Sequence, residues 1–98
     1  MEMVFKIEKK NSEEAKRILL ADDIVSRGSV QFKEASTLGM KRDVYYCYIA
    51  GTDAVCNKAK ELTKDIVKLV EGKEKDEVIA KIKAEEEKAA EGFGAIFG

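Results

Sequence analysis

Ninety-eight residues suit one small domain, and the balance of 45% hydrophobic to 38% charged residues permits a real but modest core. A formal net charge of -1 removes the electrostatic argument for non-specific binding to nucleic acid or membrane surfaces. The chain has no His, which excludes imidazole general acid–base chemistry, Ser-His-Asp and Cys-His nucleophile systems, and Cys/His zinc sites.

Glu2 to Lys9 reads as a strand, because Met3, Phe5 and Ile7 alternate with more polar neighbours. Asn11 and Glu14 have the spacing of a capping box, and Ala15, Ile18 and Leu19 then follow helical spacing up to Asp22-Asp23 and Gly28. The adjacent carboxylates Asp22 and Asp23 read as a helix end entering solvent rather than as a magnesium site. Ser29 to Ala35 is a second strand with Val30 and Phe32 on one face, and Ser36 to Asp43 is a loop around Gly39. Val44 to Ala50 is dense in β-branched and aromatic residues and makes a third strand. The second and third strands form a hairpin.

Thr52 or Asp53 caps the next helix, whose stripe runs through Val55, Ala59, Leu62, Ile66 and Leu69 to a stop at Gly72. Asp76 then caps a last helix reaching about Glu91, with Val78, Ile79 and Ile82 near its start and a solvated end of Lys, Glu and Ala. Residues 1–91 are read as one domain and 92–98 as an apolar, glycine-punctuated tail. Phe93, Ile96 and Phe97 in that tail need a surface to dock on, in their own subunit or a neighbour's.

The order β-α-β-β-α-α predicts an α+β fold: a small three-stranded antiparallel or mixed sheet with helices on one face. It is similar to a ferredoxin-like fold truncated by its fourth strand, which leaves an open edge on the first strand. With helices on one face only, Val44, Tyr46 and Tyr48 lie on the open face beside Val4, Lys6, Gln31 and Lys33. Tyr46 and Tyr48 with Lys6 and Lys33 are the candidate interaction residues of that face. Their arrangement resembles the base-stacking platform of RNA-recognition motifs, although the aromatic-glycine consensus of that family is absent. Tyrosine is also enriched at protein interfaces.

The layout of residues 2–71, with Thr52-Asp53 opening the second helix, is similar to that of the small dimerising subunit of the KEOPS tRNA-modification complex. That family's Arg is missing from the segment Ala54-Val55-Cys56-Asn57-Lys58. The ending Ile96-Phe97-Gly98 resembles the hydrophobic-tyrosine-X terminus of proteasome activators, with Phe in place of Tyr.

Cys47 and Cys56 read as small buried hydrophobes. No catalytic, cofactor or metal site is expected. No apolar run approaches the ~20 residues that span a bilayer. The stretch Met1 to Lys6 does not follow the basic-then-apolar order of a signal peptide, so a cytoplasmic location is expected. Abundant Lys and Glu with only one Gln (Gln31) and two Asn (Asn11 and Asn57) match the composition of thermophile proteins, archaeal ones included. The expected function is a non-enzymatic, self-associating assembly or adaptor module, a homodimer or a partner of another protein. The alternative is a small RNA-binding module or tRNA-modification subunit using the open sheet face.

Overall fold

The computed structural model describes the backbone of residues 1–97 and the side chains of residues 1–87. Strand β1 is Glu2–Glu8, and helix α1, Lys9–Ala21, follows without a loop. The expected cap at Asn11 therefore lies inside the helix, and no side chain caps its start. Asp22 has a local task instead. Its Oδ1 accepts from the backbone N–H of Ile24 and Val25 at 2.9 and 3.0 Å, turning the chain into a 3-10 turn at Val25–Arg27.

Strand β2 is Ser29–Glu34 and strand β3 is Val44–Ala50. The expected loop between them is partly ordered: a 3-10 turn at Ala35–Leu38 and the next residues bury Ala35, Leu38 and Met40. Helix α2 is Asp53–Thr63. Thr52 caps it, its Oγ1 accepting from Val55 N–H.

The predicted continuation of this helix to Gly72 does not occur. Buried Thr63 donates back to the carbonyl of Ala59 at 2.7 Å, Ile66 and Val67 N–H bond the carbonyl of Thr63, and the chain leaves as strand β4, Lys68–Val70. The sheet thus has four strands rather than three. Val67 and Val70 are β-branched and suit extended backbone, and β1 offered an open edge whose N–H and C=O groups needed partners. Tertiary demand overrode a helical period that the same residues also satisfy.

All strand pairs are antiparallel, in the order β2-β3-β1-β4. Gly72, at φ 68, makes the left-handed turn out of β4. It leads straight into helix α3, Gly72–Phe97, which starts ahead of the expected cap at Asp76.

The two faces of the sheet are both covered, which corrects the expectation of helices on one face. On the first face, Met3, Phe5, Ile7, Cys47 and Ile49 pack with Ala15 and Leu19 of α1 and Val55, Cys56 and Ala59 of α2. On the second, Val4, Tyr46, Tyr48 and Val70 pack with Val78 and Ile82 of α3 and with Ala35, Leu38 and Met40. Gly28 permits the close join of the first layer: a Cβ there would sit 2.7 Å from Val55 Cγ1 and 2.8 Å from the Ala50 carbonyl oxygen. No helix of the described chain is long and apolar enough to cross a membrane.

Candidate functional site

The sequence placed Tyr46, Tyr48, Lys6 and Lys33 on one sheet face, and the register does bring them together. Lys6 lies opposite Tyr46 in β1–β3, and Lys33 lies opposite Tyr46 in β2–β3. The face is not open, however. Tyr46 has no exposed surface and Tyr48 is 9% exposed, because α3 lies over both.

Most of the polar groups of this face meet side chains of α3. Glu74 Oε2 is the centre of the first cluster. It accepts from Tyr46 OH at 2.8 Å, pairs with Lys6 Nζ at 3.0 Å and is bonded by Arg42 NH1. Arg42 also donates to Tyr46 OH at 2.9 Å. The hydrogen bond from Tyr46, with Lys6 behind it, holds the Glu74 carboxyl below its usual range. Burial, then the Glu74 contact, pushes the Tyr46 phenol up.

Further along the helix, Glu2 accepts from Tyr48 OH and lies 3.6 Å from Lys83 Nζ. The Tyr48 hydrogen bond lowers the Glu2 carboxyl. Tyr48 is itself pushed up to about 12, by burial first and Glu2 second. At the far strand, Lys33 Nζ donates to Glu85 Oε1 at 3.0 Å and Gln31 Nε2 donates to Glu86 Oε1 at 2.8 Å. Helix α3 therefore crosses the sheet from β4 and β1, over β3, to β2.

Magnitudes separate what holds α3 from what aligns it. Partly exposed ion pairs such as Lys6–Glu74 and Lys33–Glu85 are each worth ~0–1 kcal/mol. Fully buried Val78 and Ile82 contribute roughly 1.5–3 kcal/mol apiece. The apolar pair supplies most of the attachment, and the polar bonds fix the register of helix on sheet.

Sequence reasoning missed Glu74, Glu85 and Glu86 as partners of this face. The signal was present: positions 74, 78, 82, 85 and 86 share one helical stripe, acidic at both ends and β-branched in the middle. It went unread because Glu85-Glu86-Glu87 looks like a solvated run. The expectations placed on Phe93, Ile96 and Phe97 fall on side chains outside the described residues.

Chemistry elsewhere is sparse. Cys47 and Cys56 are free and buried, and burial pushes the Cys47 thiol up to about 12 and the Cys56 thiol upward as well. Neither has the lowered pKa of a reactive cysteine. A hollow of about 230 Å³ at the start of β4 sets Lys6 and Lys68 against Glu8 and Asp65, a balanced charge set with no preference for an ion of either sign. Among the described residues, no group of three or more His, Cys, Asp or Glu side chains is placed to hold a metal ion.

One surface feature stands apart. The outer edge of β2 pairs with no other strand among the described residues. It runs for six residues, Ser29–Glu34, with its charges confined to Lys33 and Glu34. The opposite edge, β4, has three residues and begins with Lys68. No family model, no curated protein and no solved structure matches the chain.

Proposed function

We propose that this chain is a non-enzymatic self-association module, a ferredoxin-like βαββαβ domain with a third helix that builds its assembly by extending its sheet. The observation that carries this reading is the β2 edge, which pairs with no other strand among the described residues. Natural sheets shorten, charge or cover an edge that is to stay monomeric. Edge β4 has two of those features, shortness and a Lys, whereas the Ser29–Phe32 stretch of β2 has neither. The side chains that suggested other functions are engaged internally: Tyr46, Lys6 and Arg42 with Glu74, Tyr48 with Glu2, and Lys33 with Glu85.

Light scattering over a wide concentration range tests the reading. A reversible dimer that populates as concentration rises is expected. A chain that stays monomeric throughout contradicts it.

The alternative, RNA binding through Tyr46, Tyr48, Lys6 and Lys33, requires α3 to leave the face that it covers. Saturable binding of single-stranded RNA that weakens with Tyr46→Ala and Tyr48→Ala would favour that alternative over self-association. The Lys/Glu-rich, amide-poor composition supports a thermophilic source. A thermal midpoint well above the ~45–65 °C of mesophile domains is expected, and one inside that range contradicts the thermophilic assignment.

A further inference from the structure

We infer that the occupant of the β2 edge is a second copy of this chain, paired antiparallel, β2 against β2, about a two-fold axis at Gln31. The inference rests on the self-association reading and deepens it by naming the surface and the register.

A two-fold dimer uses the same patch on both copies, so the edge must complement itself. Directly opposed residues in an antiparallel pair share a face, so the candidate registers can be compared by their side-chain pairs. Val30 and Phe32 belong to the α1/α2 face, opposite Ile49 and Cys47 of β3, whereas Ser29, Gln31 and Lys33 belong to the α3 face. Centring on Gln31 sets Val30 against Phe32 twice and Ser29 against Lys33 twice. Both apolar pairs then extend the existing core layer, where Val30 and Phe32 already pack at the margin, and no like charges meet. Centring on Phe32 sets apolar Val30 against Glu34. Centring on Lys33 sets two ammonium groups together. Centring on Val30 faces Phe32 with Gly28. The Gln31 register is the one in which each apolar side chain gains an apolar partner.

Helix α3 provides the second argument for a copy of this chain rather than another partner. It meets β2 through Glu85 and Glu86 and continues as helix to Phe97. From Glu86 to Phe97 a helix rising ~1.5 Å per residue covers roughly 16 Å, about three strand spacings of ~4.8 Å. Among the described residues no strand lies beyond β2, and in a two-fold dimer the space past β2 is taken by the second copy's sheet with its own α3 over it, so this last stretch of helix would meet protein there. The sequence of this last stretch contains Ala89, Ala90, Phe93, Ile96 and Phe97, a composition suited to contact with protein.

Disulfide trapping tests the register. Residues opposed in an antiparallel pair have Cα atoms ~4.5–5.5 Å apart, inside the ~4.4–6.8 Å span of a disulfide. Gln31→Cys is therefore expected to oxidise to a covalent dimer that keeps the wild-type circular dichroism spectrum. Ser29→Cys should not cross-link to itself, because its two copies would lie four residues or ~13 Å apart along the strands. Ser29→Cys mixed with Lys33→Cys should form a mixed dimer, which reads the same register with Gln31 untouched. The wild-type chain, with Cys47 and Cys56 buried, is the control.

If light scattering shows a dimer but Gln31→Cys and the mixed pair fail to cross-link, or Ser29→Cys cross-links alone, this register is wrong and self-association stands. If the wild-type chain is monomeric at every concentration and no variant cross-links, both fail.

Discussion

The hydroxyl of Tyr46 sits where three charged side chains meet, and it shows how a residue chosen for one role comes to serve another. A tyrosine on a strand suggested a flat aromatic surface. In the folded chain its ring is buried and its hydroxyl joins Glu74 and Arg42. Tyr46→Phe removes two hydrogen bonds, the one given to Glu74 and the one accepted from Arg42, and leaves Glu74 with Lys6 and Arg42. A loss of about 1–3 kcal/mol, from ~0.5–1.5 kcal/mol for each bond, is expected, measured as a lower urea midpoint with an unchanged slope.

The neighbouring carboxylates make stability depend on acid. Glu74 and Glu2 both titrate below their usual range when folded, so their contribution is complete above the unfolded carboxylate pKa and is lost as pH falls through the folded value. Stability should decline below about pH 4.3, the unperturbed Glu value, and Glu74→Gln should flatten that decline. Equal acid sensitivity in wild type and variant would remove Glu74 from the account. Tyr48 behaves in the opposite sense. Its pKa is raised from 10.0 to about 12, so its contribution is intact below 10.0 and fades as pH rises through about 12. Alkaline unfolding curves of Tyr48→Phe should lose this dependence.

At the scale of elements, β1, β2, β3 and the start of α2 were legible because each satisfies one periodicity strongly. Val44 to Ala50 has no helical alternative of comparable quality. The stretch Ile66 to Val70 does. Its apolar residues fit the stripe of α2 and also the alternation of a strand, and local spacing cannot choose between them. The decision came from the unpaired edge of β1, a long-range demand that no window of neighbouring residues contains. The same ambiguity hid the cover over the second face. Once β4 ends at Val70, Gly72 turns the chain back and α3 must cross the sheet, which places Val78 and Ile82 over Tyr46 and Tyr48. Ile82→Ala should therefore destabilise by about 2–5 kcal/mol, measured by denaturant unfolding. A loss near zero would mean that α3 does not rest on this face in solution. The candidate residues Lys6, Lys33, Tyr46 and Tyr48 were legible as a group because strand parity assigns faces reliably. Their partners were not, since Glu74, Glu85 and Glu86 approach from a helix whose crossing direction only the fold determines.

The molecule as a whole is a sheet covered on both faces with unequal edges. Its faces are closed by α1 and α2 on one side and α3 on the other, and β4 is too short to template further pairing. On the self-association proposal, growth by the sheet is left to β2. Helix α3 runs toward that same edge, meeting β2 through Glu85 and Glu86. Hydrogen exchange of the β2 amides as a function of protein concentration is the decisive measurement for pairing at this edge. Outward amides within Ser29–Glu34 should slow as concentration rises, whereas those of Lys68–Val70 should not. Exchange across Ser29–Glu34 that is independent of concentration, up to the highest attainable, would contradict it.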